Sequence, residues 1–360
     1  EDGEGEGDVI FVNTFTRDFS VEKKWNPNSQ SAKPEVTLGL YRTTDEKNVG
    51  STTDGEAVPV DELDESQGVR SVTLDGNADT TAGGLEKEAW KATFTDLPEY
   101  DEESNLYYYY ALELDAENNP IADGSVITLD GTGYVVTYAT TDGNATVVTN
   151  TPATGLTGTK TWLDENDESD TRPDSLTLIL ERRAGSGDSS WTEVSGVSAV
   201  WNKNGADRNV WTYTYSGLPQ YDPAGQLYTY RVRETVPEGY MLKNQAGNTG
   251  VVAADTAGHY NFINVRTGTV NLNIQKNWTG DTPDDRPEDI ELKLERRTVT
   301  PADGSWTDIT ESTAQPAWTK PEGSDTWSLA WTGLDKYDEN GVRYEYRVTE
   351  NDIPGGYEVI

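Results

Sequence analysis

The feature that most constrains the fold of this 360-residue chain is an internal repeat. Three segments of equal length open with a tryptophan and close with a tyrosine ten residues later. Thirteen residues beyond each of those tyrosines stands a glutamate, at the end of an alternating stretch. The segments are Trp90 to Tyr100 with Glu113, Trp211 to Tyr221 with Glu234, and Trp327 to Tyr337 with Glu350. A spacing that recurs three times predicts three copies of one structural unit.

A second landmark recurs upstream of each segment. It is a lysine two residues before a tryptophan, followed by a polar loop and then a basic residue before proline. The members are Lys23 with Lys33-Pro34, Lys160 with Arg172-Pro173, and Lys276 with Arg286-Pro287. The lysine precedes the later tryptophan by 51 residues in copies two and three, and by 67 in copy one. Copy one therefore carries an insertion of about one hairpin within residues 43–85.

The local pattern predicts β-strands throughout. Short alternating runs rich in Val, Thr, Tyr and Trp are separated by turns rich in Gly, Asp and Asn. Strands are predicted at 36–42, 107–113, 176–182, 228–234, 290–296 and 344–350. Several short strands in each unit of about 110 residues are typical of a β-sandwich. We expect the tryptophans to fill the sandwich, since aromatic side chains bury large areas.

Composition narrows the possible functions. The chain has no cysteine and one histidine, so disulfides, cysteine-based metal sites and multi-histidine metal sites are excluded. With 64 acidic and 28 basic residues its formal net charge is −36, which argues against binding nucleic acid or inserting into an anionic membrane. We expect no cofactor and no turnover enzyme, because no nucleophile–histidine–acid set is present.

These motifs together resemble the collagen-adhesin B-type (CnaB-like) domains of Gram-positive surface proteins and pilins. The resemblance rests on the Lys-x-Trp opening, the Arg-Pro turn, the Leu-Pro-x-Tyr-Asp segment, the Tyr-x-Val-x-Glu strand and the Pro-x-Gly-Tyr turn. It implies an all-β fold of three tandem Ig-like sandwich domains on an extracellular bacterial stalk or pilus. The expected boundaries are 15–153, 154–267 and 268–360, with residues 1–14 as the terminal strand of a preceding domain or a donor strand for a neighbour.

The resemblance also implies an autocatalytic isopeptide bond between a first-strand lysine and a last-strand asparagine, assisted by the glutamate. The implied crosslinks are Lys23–Asn150 with Glu113, Lys160–Asn264 with Glu234, and Lys276–Asn13 of a neighbouring repeat or subunit with Glu350. The residue types suit the chemistry. A buried lysine becomes neutral enough to attack a carbonyl carbon, and a buried glutamate stays protonated and can polarise the amide.

Copy three is predicted to lack its last strand within this chain, because no asparagine-bearing run follows Glu350. Reading the end of the sequence into its beginning restores a typical ending, which places Asn13 in the missing position. Two hypotheses follow. The 360 residues are one period of a longer tandem protein, or subunits exchange residues 9–14 head to tail, as in donor-strand addition.

Two alternatives stay open at this point. The chain could be a host- or glycan-binding adhesin region, with the insertion in copy one as the contact surface. The acidic stretches 164–170 and 281–285 could bind Ca²⁺, but neither has the pattern of a known calcium loop, and a solvated loop is favoured.

Overall fold

The computed structural model describes residues 15–29, 33–61, 64–78, 85–141, 145–167, 170–185, 190–243, 250–301 and 304–358. Apart from three single turns of 3-10 helix (Glu46–Asn48, Glu165–Asp167 and Pro283–Asp285), the regular structure in these residues is β-strand. The predicted all-β class is therefore confirmed. None of the helical turns in this part of the chain has the length or apolar character needed to cross a membrane.

Copy one forms two sheets that face each other. Its strands are β1 (Thr16–Trp25), β2 (Val36–Thr43), β3 (Glu56–Ala57), β4 (Pro59–Asp61), β5 (Asp64–Val69), β6 (Ser71–Leu74), β7 (Leu85–Glu88), β8 (Lys91–Pro98), β9 (Tyr108–Glu113), β10 (Val126–Leu129), β11 (Thr132–Thr141) and β12 (Ala145–Leu163). One sheet has the order β10-β11-β12-β1-β8-β7, and the other joins β3, β6 and β9 to β2. β4 and β5 form a separate hairpin.

The core of copy one lies between these sheets. Phe19 and Val21 of β1 and Phe94 of β8 come from the first sheet, and Leu38 of β2 and Tyr109 of β9 come from the second. Along β1 such buried residues alternate with more exposed ones, which is the expected pattern for a sheet with one wet face. The sandwich predicted from the alternating pattern is thus observed.

Copies two and three reuse the same elements. Copy two begins on β12 and continues with β13 (Leu178–Ala184), β14 (Thr192–Glu193), β15 (Val200–Asn202), β16 (Val210–Pro219), β17 (Tyr228–Glu234), β18 (Tyr240–Leu242) and β19 (Phe262–Arg266). Copy three has β20 (Thr269–Asn277), β21 (Leu292–Thr298), β22 (Thr307–Asp308), β23 (Thr326–Asp335) and β24 (Tyr344–Glu350). The sheets pair β14-β13-β17 in copy two, and β20-β23 and β22-β21-β24 in copy three.

Two predicted strands begin two residues later than the sequence suggested. β13 starts at Leu178 rather than 176, and β21 starts at Leu292 rather than 290. In copy three the reason is visible, since the Ile290 carbonyl accepts hydrogen bonds from the side chains of Gln315 (2.8 Å) and Trp318 (3.1 Å). These side chains occupy the place of a strand partner.

The chain divides into two compact units. One contains residues 1–155, 182–192 and 215–230, and the other contains residues 156–181, 193–214 and 231–360. Copy two contributes segments to both units. The division into three domains at 15–153, 154–267 and 268–360 therefore stays a prediction.

The insertion in copy one covers the outer face of the second sheet. In copy three the same face of the sheet carries an ion pair between Glu295 and Arg347, 2.6 Å apart. The equivalent positions of copy one are Tyr41 and Tyr110, whose stacked rings have their centres 5.7 Å apart. The Tyr110 hydroxyl donates to the Ser51 carbonyl at 2.8 Å. The same ring also fills the space where a side chain at Gly55 would stand, so glycine is required there.

We predict that Tyr110→Ala destabilises copy one by about 3–5 kcal/mol, because a fully buried aromatic ring is removed from beneath the insertion. Urea denaturation followed by tryptophan fluorescence measures the change. Tyr100→Ala is the control, since Tyr100 is 39% exposed and its loss should cost less than about 0.5 kcal/mol. Equal effects of the two substitutions would mean that the insertion does not seal a second core.

Candidate crosslinking site

The first and last strands of copies one and two are parallel neighbours with the same register. On β1 and β12, Lys23 lies opposite Val148 and Trp25 opposite Asn150. On β12 and β19, Lys160 lies opposite Phe262 and Trp162 opposite Asn264. Since side chains two residues apart share a face of a sheet, each lysine and its asparagine point into the same side of the sandwich.

In copy one the three predicted side chains meet in the core. The Lys23 ammonium donates to Glu113 Oε2 at 2.6 Å, and the Asn150 amide donates to Glu113 Oε1 at 2.9 Å. The residues are 3%, 0% and 0% exposed for Lys23, Glu113 and Asn150. A single carboxylate therefore holds the amine and the amide side by side without solvent.

Copy two repeats this geometry. The Lys160 ammonium lies 3.1 Å from Glu234 Oε2, and the Asn264 amide donates to Glu234 Oε1 at 2.5 Å. All three residues are buried. Two segments with different surrounding sequence therefore place a lysine, a glutamate and an asparagine in the same arrangement.

Burial changes the acidity of these groups. It lowers the pKa of Lys23 and of Lys160 to about 8, although the facing glutamate opposes the shift in each case. Burial likewise raises the pKa of Glu234, against the effect of Lys160. At neutral pH a lysine with a pKa near 8 is neutral in about one molecule in ten, against fewer than about one in a thousand for an exposed lysine. Both shifts favour a neutral amine beside a neutral acid.

The asparagine carbonyls are the unsatisfied atoms of the site. Asn150 Oδ1 and Asn264 Oδ1 are buried and accept no hydrogen bond within the described part of the chain. An ionised carboxylate can only accept, so it engages the amide nitrogen and leaves the oxygen without a donor. A protonated glutamate could donate to that oxygen once the amide rotates. A buried carbonyl without a partner is costly, and the neutral acid would relieve this cost.

A tryptophan encloses each lysine. The ammonium nitrogen of Lys23 is 5.0 Å from the Trp25 ring centre, and that of Lys160 is 4.5 Å from the Trp162 ring centre. These indoles come from the Lys-x-Trp motif itself. They supply the apolar wall that shields the amine from water while still accommodating its charged form.

Copy three brings together two of its three predicted residues. The Lys276 ammonium lies 3.0 and 2.8 Å from the two oxygens of Glu350. These side chains are 21% and 14% exposed, against 0% for the lysine–glutamate pairs of the other copies. β20 pairs with β23 on one side, and no described strand pairs with its other edge. Asn13 lies outside the described residues.

A supporting cluster beside the lysines of copies two and three was missed as a unit by sequence reasoning. In copy two, Arg172 and the Tyr240 hydroxyl both bind the Asp164 carboxylate, at 2.5 and 3.0 Å. The Tyr240 ring packs edge-on against Trp162, with ring centres 5.0 Å apart. The Arg-Pro and Pro-x-Gly-Tyr motifs were the available signal, but the acidic loop before the Arg-Pro turn was interpreted as solvated.

Copy three contains the equivalent cluster. Arg286 and the Tyr357 hydroxyl bind Asp281, at 2.9 and 3.0 Å, and Tyr357 packs edge-on against Trp278. The first acid of each loop therefore anchors the aromatic wall. No group of three acidic or histidine side chains suited to a metal ion occurs among the residues that the structure describes.

Comparison with known proteins identifies the family of the chain. The family model of the Cna protein B-type domain matches residues 156–255 and 272–360. A collagen adhesin of Staphylococcus aureus is 30% identical over 351 residues, which is 92% of this chain and 24% of that protein. The chain thus spans about a quarter of this curated relative.

Solved structures of similar proteins include adhesin repeats and pilins. Two B repeat units of the collagen binding protein of Staphylococcus aureus align over 95% of this chain and 71% of theirs, at 19% identity and a TM-score of 0.22. The shaft pilin SpaA of Lactobacillus rhamnosus GG aligns over 71% of this chain and 100% of its own, at 14% identity and a TM-score of 0.20. The structural scores are too low to carry weight, and the assignment rests on the family model. Proteins of this kind are structural rather than enzymatic, and the chain belongs to the Cna protein B-type domain family.

Proposed function

We propose that the chain is a segment of the shaft of a bacterial cell-surface protein or pilus, in which Lys–Asn isopeptide bonds lock the repeats. The observation that carries this proposal is the buried Lys–Glu–Asn cluster, which occurs in the same register in copies one and two. The family and the collagen adhesin relative support a place at the cell surface.

The chemistry of each bond follows from the geometry. The neutral lysine amine attacks Cγ of the asparagine while the protonated glutamate donates to the amide oxygen and stabilises its developing charge. The glutamate then accepts a proton from the attacking nitrogen and delivers one to the leaving nitrogen. A C–N bond forms, a C–N bond breaks, and one ammonia is released. Each cluster reacts once, so Lys23 joins Asn150 with Glu113, and Lys160 joins Asn264 with Glu234.

Fixed placement makes this reaction feasible. An amide is inert toward amines in water, but groups held side by side react as if at very high concentration. The parallel register and the shared carboxylate provide that placement, and the surrounding tryptophans exclude the water that would keep the lysine charged.

A purely adhesive role for copy one is the competing function. The insertion has no aromatic residue between 44 and 84, and its described part packs over Tyr110 rather than presenting an apolar patch. Large exposed apolar patches are the usual mark of a protein-binding surface. This favours a spacer role for the insertion over a contact surface.

The free edge of β20 extends the proposal to copy three. In the other copies the equivalent edge pairs with a parallel strand whose asparagine lies opposite the Lys-x-Trp tryptophan. We propose that residues 9–14 supply this strand, so that Asn13 lies opposite Trp278 and reacts with Lys276, assisted by Glu350. The strand would come from a neighbouring subunit or from the neighbouring repeat of a longer chain.

Intact mass spectrometry tests the two internal bonds. We expect the chain to weigh less than its sequence by one ammonia for each bond. Asn264→Ala should restore one ammonia mass, whereas Asn261→Ala, three residues earlier and bonded to Thr159 instead of Glu234, should restore none. A mass equal to that of the sequence would overturn the proposal.

Thermal and urea unfolding test what the bond contributes. A crosslink closing a loop of about 100 residues is expected to stabilise by about 4–5 kcal/mol, mostly through the unfolded chain. Asn264→Ala should lower the unfolding free energy of copy two by about that amount, with Asn261→Ala as the control. Loss of the same size in both variants would assign the effect to strand packing and not to the crosslink.

Denaturing gels of boiled protein test the intermolecular bond. If separate subunits exchange residues 9–14, the wild-type chain should give a ladder of multimers. Asn13→Ala and Lys276→Ala should each abolish the ladder, while Asn28→Ala, on an exposed loop, should leave it intact. A single monomer band from the wild type would contradict covalent exchange between subunits.

A further inference from the structure

A cleft of about 780 Å³ lies in the first compact unit, and Lys23 and Trp25 of the crosslinking site form part of its lining. Its solvent-facing charged residues are Lys24, Lys33 and Arg182, with Glu22 as the one carboxylate in its described lining. The chain as a whole has 64 acidic residues for 28 basic ones. The excess of cations in this cleft therefore reverses the sign of the electrostatic potential locally. The shape of a cleft strengthens such a potential.

The internal repeat shows that Arg182 is left without a partner that its counterparts have. Arg42 in copy one pairs with Glu56 at 2.5 Å, and Arg296 in copy three pairs with Asp335 at 3.3 Å. The position of Asp335 is occupied in copy two by Pro219, which lines the cleft. Among the described residues Arg182 has no ion pair, because its guanidinium contacts the Tyr228 ring and the Tyr230 side chain, which are both neutral.

Lys33 is a second such departure. It replaces the arginine of the Arg-Pro turn, which in copies two and three is bound by an aspartate. In copy one its ammonium is bound only by a neutral group in the described structure, Asn28 Oδ1 at 2.7 Å. Arg182 and Lys33 are thus two cations of the cleft that form no ion pair within the described residues.

The walls of the cleft are fixed and partly aromatic. The Asn26 amide donates to the Asp222 carbonyl at 2.8 Å, and Gln220 N–H donates to the Pro152 carbonyl at 2.8 Å. Trp90 and Tyr221 line the cleft beside the hydroxyls of Thr149 and Thr151. Ring faces, hydroxyls and a few charges in a preformed cleft of this volume suit a ligand that is both apolar-faced and hydrogen-bonding.

We propose that this cleft binds an acidic glycan whose carboxylates are spaced along the chain, with Arg182 and Lys33 as the carboxylate-binding residues. Sugar rings supply flat apolar faces for Trp90 and Tyr221, and their hydroxyls match the threonines. The net charge of −36 repels densely charged polyanions at long range, while contacts in the cleft act within a Debye length of about 8–10 Å. A sparsely charged chain is therefore preferred to a highly sulfated one.

Calorimetric titration of the full-length chain with hyaluronan hexasaccharide tests the proposal. We expect saturable binding that Arg182→Gln weakens by about tenfold or more, since a charge-assisted contact is lost. Arg296→Gln is the matched control, because Arg296 lies over Tyr344 (4.3 Å) as Arg182 lies over Tyr228 (4.5 Å) but outside the cleft. Lys33→Gln should also weaken binding, and Lys47→Gln, at an exposed site, should not.

Three results would overturn the site. They are no binding of the hexasaccharide, equal weakening by Arg182→Gln and Arg296→Gln, and equal affinity for neutral maltohexaose or for a penta-glutamate peptide. The last would indicate a neutral sugar or a protein partner. None of these results would contradict the proposed crosslinks, because the crosslinks are tested separately by the loss of ammonia mass from the same protein.

Discussion

The interaction on which the structure depends is the meeting of a lysine, a glutamate and an asparagine in the core of a sandwich. Burying a charged pair is costly unless the two charges pair with each other or become neutral. The parallel pairing of first and last strands and the adjacent tryptophans hold that arrangement, and in copy two an aspartate–arginine–tyrosine cluster supports it. The buried site therefore fixes the register of the two strands. A shift of either strand by one residue would turn its lysine or asparagine out of the core.

The strands and the candidate site residues could be predicted from the sequence because the same residue types recur in successive copies. The spacing from Lys23 to Glu113 differs from that between Lys160 and Glu234, yet the motifs around each residue identified the same six core positions. What the sequence did not reveal was the role of Asp164 and Asp281. A single acid in an acidic loop carries no local signal of burial, and its partners, Arg172 and Tyr240, are distant in sequence. The late start of β21 escaped notice for the same reason, since side chains of Gln315 and Trp318 take the place of a strand.

Copy one shows how a repeat acquires an addition without disturbing its core. The exchange of the Glu–Arg pair for Tyr41 and Tyr110 changes only the outer face of the second sheet, and the inner face keeps Leu38 and Tyr109 in place. The two tyrosine rings form an apolar surface, and the insertion packs over it. Neither change is stable alone, because exposed stacked tyrosines or an undocked loop would each lose their packing.

β12 gives the chain a property that its sandwiches alone would lack. This 19-residue strand carries Asn150 near its start and Lys160 near its end. Once the proposed bonds form, an unbroken covalent path runs from Lys23 across to Asn150, along residues 150–160, and across again to Asn264. Residues 24–149 and 161–263 would each form a loop closed by one of the bonds and lie outside that path. The connecting stretch is already an extended strand near the limit of about 3.3–3.6 Å per residue, so tension applied to the ends would find almost no slack to draw out.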